Sequence, residues 1–137
     1  MPEFFGSEWV AAFKRAIDAS AEYKSASNNW EWPVVLVQRA DAEHGRPQPH
    51  YVYLDLWHGV CREARVGTIL DIDRAPLVVS ADRDVWFEMV AGRLEMLTAM
   101  MLRKISVDKG SPSLLIGSVA AMRALVKAAR AASVGFT

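Results

Sequence analysis

At 137 residues the chain is long enough to bury one continuous core and short for two, so residues 1–137 are expected to form a single domain. Its 52% apolar and 23% charged content excludes a disordered tail; 16 Lys plus Arg against 16 Asp plus Glu leave no field to draw a polyanion, which sets nucleic acid aside as a partner. The single cysteine, Cys61, excludes an intrachain disulfide and a cysteine-rich zinc site, and suits a reducing compartment.

Residues 1–5 lack the basic segment and apolar run of a signal peptide, and residues 134–137 are not a peroxisomal signal. No apolar run approaches the roughly 20 residues of a spanning helix. A cytoplasmic protein is expected. From Ser7 to about Tyr23 the apolar residues Trp9, Phe13 and Ile17 recur at helical spacing, with Val10 and Ala16 beside them, which predicts a helix capped by Ser7. Residues 32–38 read as a strand opened by Pro33, and residues 41–49, with Gly45, Pro47 and Pro49, as a loop.

The clearest strand is residues 51–57. Tyr51, Tyr53, Asp55 and Trp57 fall on one face, and Val52, Leu54 and Leu56 on the other. A turn at His58-Gly59 predicts a hairpin to residues 60–66, with Asp55 opposite Arg62 and Leu56 opposite Cys61. That register puts Glu63 and Arg65 on the face of Leu54 and Val52, tolerable only on an edge strand. Residues 67–76 read as a solvated connection, Asp71-Ile72-Asp73 included, and residues 76–80 as a buried strand.

Asp82 and Asp84 read as the start of a helix whose apolar face carries Val85, Trp86, Met89 and Val90, with Gly92 at its left-handed end. A helix over about residues 95–103, a strand over 105–109 and a closing helix over about 113–132 follow. Val119, Met122, Val126 and Ala129 line one side of the last.

No nucleophile elbow, phosphate loop or dinucleotide glycine pattern is present, so no enzyme class and no cofactor is nominated. His58 and Cys61 invite a metal reading, but His44 and His50 sit on the loop with no Cys or paired carboxylate near in sequence; Cys61 reads as a small buried hydrophobe. Glu63, if it faces inward beside a ligand, is the only carboxylate worth testing for catalysis. Five of the six methionines, Met89, Met96, Met100, Met101 and Met122, crowd the C-terminal part of the chain, where Met serves either as core filler or as an adaptable wall for an apolar ligand.

Over residues 76–131 a strand is followed by Asp82 at the helix start, the aromatic Trp86, Gly92 and Leu94, Ala99 on the next helix, then Lys104, Ile105 and Val107 before Gly110. This pattern resembles the sterol carrier protein 2 family. The N-terminal helix and the three strands after it also follow the family order. The sequence departs at Met96, where the family commonly has proline, and at Arg103, where a glycine usually precedes the lysine. The resemblance implies an α/β fold of α+β type, in the order α-β-β-β-crossover-β-α-α-β-α. A five-stranded sheet would carry helices over one face, with an apolar tunnel between them for fatty acyl chains, sterols or related lipids.

On that reading the protein carries an apolar ligand without catalysis, against a wall of Phe13, Ile17, Leu54, Leu56 and Trp86 with Met89, Leu97, Met100, Met101 and Met122. The alternative is an interaction or homodimerisation module that uses Tyr51, Tyr53 and Trp57 on the outer sheet face. A transient membrane contact through Arg123, Lys127 and Arg130 on the last helix is the third reading.

Overall fold

In the computed structural model residues 3–134 are described, and the terminal positions read for targeting signals, 1–2 and 135–137, lie outside them. The amphipathic stripe near the N-terminus forms α1 (Ser7–Asp18), which buries Trp9, Val10, Phe13 and Ile17. Its N-cap is Gly6 rather than Ser7. The helix also stops short of Tyr23, because the Ser20 hydroxyl accepts the Tyr23 N–H and starts a separate helix, α2 (Ala21–Ala26).

The strands are β1 (Pro33–Gln38), β2 (His50–Trp57), β3 (Val60–Val66), β4 (Leu77–Ala81) and β5 (Ile105–Lys109). They make one sheet in the order β3-β2-β1-β4-β5, in which β1 and β4 run parallel and every other pair antiparallel. On the inner face Val34, Leu54, Leu56, Leu77, Val79 and Ile105 join one buried cluster with α1, with α4 (Arg83–Val90) and with α7 (Val119–Ala132).

The β2–β3 hairpin corrects the predicted register. His58 (φ 49) and Gly59 (φ 83) form the left-handed turn, and Leu56 faces Cys61 as expected, but Asp55 pairs with Glu63. Arg62 is the extra residue of a β-bulge. It still reaches the Asp55 carboxylate at 3.1 Å. The bulge shifts the rest of β3 by one place. Ala64 then meets Leu54 on the inner face, while Glu63 and Arg65 turn outward beside Asp55 and Tyr53. The charges expected against the core are therefore not there.

The solvated connection expected over residues 67–76 contains a helix instead, α3 (Ile69–Arg74), which lies on the outer sheet face. Its pattern is inverted: Ile69 and Leu70 are 67% and 66% exposed, whereas Asp71 is 3% exposed. The Asp71 carboxylate takes two hydrogen bonds from Arg65, at 2.7 and 2.9 Å, and the Thr68 N–H at 2.8 Å in a capping box. Ile72, Tyr51 and Tyr53 pack against the buried cluster of Val35, Val37, Ala75 and Val78, so this face is partly covered.

After β4, α4 begins at Asp82, whose side chain makes no cap bond and pairs with Arg39 at 3.3 Å. The next helix, α5, is shorter than predicted (Met96–Met101), and the closing helix is broken at Gly117-Ser118 into α6 (Pro112–Ile116) and α7. Both departures from the family pattern have a local reading. Met96 opens α5 at the first helical position, which favours proline. Arg103 adopts φ 58, the left-handed region that favours glycine.

Candidate ligand-binding cavity

Between the inner sheet face and the helices lies a cavity of about 80 Å³ whose lining residues are all apolar. The sheet contributes Val34, Leu36, Leu54, Leu77, Val79 and Ile105. Trp9 and Phe13 come from α1, Trp86, Met89 and Val90 from α4, Met96 from α5 and Leu115 from α6; Met122, Leu125, Val126 and Ala129 come from α7. Phe4 and Phe5, ahead of α1, complete it. The one polar atom of Trp86 is satisfied away from this space, because its indole N–H donates to the Val37 carbonyl at 2.9 Å.

The structure brings Phe13, Leu54, Trp86, Met89 and Met122 of the expected wall onto this cavity. Ile17 and Leu56 are fully buried in the same core but do not line it, and Met100 packs on that core half-buried. Leu97 is half-buried off the wall, and Met101 is 82% exposed. The reason is the length of α5. A six-residue helix turns one narrow face inward, and α5 buries only Ala99.

Phe4, Phe5 and Trp9 are cavity residues that the sequence reading misses. Trp9 shares the α1 stripe with Phe13, a signal that was there to use, whereas two aromatics before a helix have no periodicity. Their rings form a cluster: Phe5 stacks on Trp9 at 5.2 Å and leans on Trp86 at 5.6 Å, while Phe4 lies 4.5 Å from Phe87 and 4.8 Å from Trp9. Phe5 holds φ 69, a strained value for a residue with a Cβ. Among the described residues, the segment before α1 is tied by backbone hydrogen bonding only through Gly6 N–H to Glu3 and Val10 N–H to Gly6.

Of the aromatics expected to form an interface, Tyr51 and Tyr53 are half-buried beside α3, with the Arg65 guanidinium 4.4 Å above the Tyr53 ring. Trp57 is 38% exposed, under Arg62 at 4.7 Å. The three cations of the last helix each find a partner within the chain: Arg123 meets Glu95 at 2.9 Å, Lys127 meets Glu22 at 3.1 Å, and Arg130 Nε donates to the Val90 carbonyl at 2.8 Å.

The candidates for chemistry are dispersed. Glu63 faces outward, pairs with Arg65 at 2.8 Å and is 54% exposed at its side chain, which removes the inward carboxylate. His58 pairs with Glu31 at 3.4 Å, and His44 with Asp41 at 2.7 Å. Among the described residues no group of three or more His, Cys, Asp or Glu is placed to hold a metal ion, and no helix is long and apolar enough to cross a membrane. Burial pushes the Cys61 thiol up to about 12, and the nearby Asp18 carboxylate adds to the rise. Cys61 is thus expected to resist a thiol reagent at neutral pH and to react only on denaturation, which absorbance of the released chromophore measures.

A five-stranded mixed sheet with an apolar cavity beneath its helices places this protein in the α/β class that the sterol carrier resemblance implies. No protein-family model and no curated protein matches the chain. Solved structures do. A crystal structure of sterol carrier protein 2 aligns with a TM-score of 0.84 and 37% identity, over 93% of this chain and 98% of that one. A conserved hypothetical protein from Thermus thermophilus, described as a potential sterol carrier protein, aligns with a TM-score of 0.84 and 36% identity, over 96% of this chain and 91% of that one. The chain belongs to the sterol carrier protein 2 family. Sterol carrier protein 2 from Yarrowia lipolytica in its apo form, 17% identical with a TM-score of 0.59 over 88% of each chain, shares the fold.

Proposed function

We propose that this protein binds and carries an apolar lipid, without catalysis, in the space between its sheet and helices. The observation that carries the reading is the unbroken apolar lining, from Phe4 through Ala129, of an internal cavity. Such a wall supplies affinity by burial alone, at about 0.8 kcal/mol for each methylene removed from water. The names of the relatives support a lipid ligand, and the free, buried thiol of Cys61 suits carriage in the cytoplasm.

A volume of about 80 Å³ is well below the roughly 300 Å³ at which ligand pockets begin, so the wall must give way for a long chain to enter. Phe4 and Phe5 are the natural part to yield. They fill one side of the space and belong to no helix or strand, and Phe5 holds a strained backbone that withdrawal would relax. In this reading the two rings give up their place on the wall to the entering chain.

Denaturing extraction of the purified protein followed by mass spectrometry, together with displacement of a fluorescent fatty-acid probe, tests the proposal. Co-purified lipid or saturable probe binding is expected. A protein that carries no lipid and takes up no probe is not a carrier.

A further inference from the structure

Beside the apolar cavity, between the turn after α4 and the exposed side of α7, lies a cleft of about 480 Å³ of different chemistry. Met89, Met96 and Val126 line both spaces, so cleft and cavity share a wall. The cleft also carries Arg93, Arg123, Lys127 and Arg130 with one carboxylate, Glu95.

These cations are not equivalent. Arg93 faces Glu88 at 3.0 Å, Arg123 faces Glu95 at 2.9 Å and Lys127 faces Glu22 at 3.1 Å, all exposed pairs of a kind that is weak and exchanges readily. No carboxylate among the described residues pairs with Arg130. Its Nε donates to the Val90 carbonyl at the end of α4, which fixes the guanidinium, and its Nη groups make no hydrogen bond among the described residues. Gly92 makes room for it: at φ 82, a Cβ on Gly92 would stand 2.6 Å from Arg130 Nη2. A held guanidinium with unused donors, next to an apolar space, suits an oxyanion attached to a chain. A sterol, with one neutral hydroxyl, would leave this charge unused.

We propose that the cleft is a headgroup site. It takes the carboxylate or phosphate of a single-chain amphiphile whose chain lies in the cavity, and Arg130 sets the preference for a charged headgroup over a neutral one. The inference rests on the carrier reading above and narrows it to an anionic ligand class.

The test measures affinities of palmitic acid, hexadecyl phosphate, 1-hexadecanol and inorganic phosphate for the whole protein by titration against a bound fluorescent probe. The two anionic amphiphiles are expected to bind about fivefold more tightly than the alcohol, and that ratio to fall when salt is raised to about 0.5 M. In Arg130→Met the ratio is expected to drop below about twofold, and Arg130→Lys to restore part of it. Should the methionine variant not fold, the salt series on the natural chain and the lysine variant decide. Equal affinities for acid and alcohol with both tight, or an undiminished ratio in Arg130→Met, would overturn the headgroup site and leave the carrier standing. Inorganic phosphate as tight as hexadecyl phosphate would make the cleft a free-anion site and overturn it too. Failure of all three amphiphiles to bind overturns the carrier reading and this inference together.

Discussion

A Phe5→Gly variant is expected to bind a sixteen-carbon probe roughly a hundredfold more tightly than the natural chain, while its ligand-free form unfolds about 3 kcal/mol more easily. The two effects have one origin. Phe5 is 1% exposed and packed between Trp9 and Trp86, so loss of its ring removes a buried aromatic worth about 3–5 kcal/mol. Glycine returns about 1 kcal/mol of that, because φ 69 costs it nothing. If a ligand must expel the ring to enter, the bound state has already lost this packing, and the substitution weakens the empty state alone. Urea unfolding with and without probe, alongside a binding titration, separates the contributions. Lower stability with unchanged or weaker binding would make Phe5 a permanent part of the wall and end its role as a displaceable plug.

Asp71→Ala is expected to cost about 3 kcal/mol of stability, a large effect for a residue in a six-residue surface helix. The carboxylate is enclosed while its partner Arg65 is 37% exposed at its side chain, so Arg65 regains water when the pair is broken and the loss stays at the lower end for a buried ion pair. The Thr68 N–H loses its acceptor as well. The hydrogen-bonded Arg65 guanidinium, aided by Thr68 and opposed by burial, holds the Asp71 carboxyl below the usual carboxylate range. A depressed folded pKa contributes stability that is complete above the unfolded value of about 3.9 and is lost as pH falls through the folded value. Thermal unfolding of the two proteins should therefore differ most near neutrality and converge in acid below about pH 4. A gap that persists unchanged into strong acid would assign the cost to packing rather than to the charge.

The parts of the fold that were legible in the sequence are those where burial has a clean period. In β2 the alternation of Val52, Leu54 and Leu56 with Tyr51, Tyr53 and Asp55 is strict, and the structure follows it. β3 has no such contrast, so nothing in Cys61 to Val66 announces that Arg62 is extra; the bulge is chosen by the core, which takes Ala64 and rejects Glu63. α3 hides its buried face because that face carries a carboxylate held by an arginine outside the helix, Arg65 on β3. On the cavity wall, Phe13, Trp86, Met89 and Met122 lie on helices long enough to keep one face inward. The dense methionines of α5 misled for the opposite reason. Phe4 and Phe5 were illegible because their burial depends on the tertiary cluster of Trp9, Trp86 and Phe87 alone.

The wall of the cavity is drawn from both ends of the chain, and the Trp9 indole N–H donates to Ser133 Oγ at 2.9 Å where α1 meets the end of α7. During synthesis the sheet can close once β5 has emerged, but the cavity beneath it is not complete until α7 docks. On the carrier proposal, a ligand can be held only once α7 has docked. An occupant that touches Trp9, Met122 and Ala129 at once would clamp these helices together, and slowed amide exchange across α7 on loading is how that clamp would be seen.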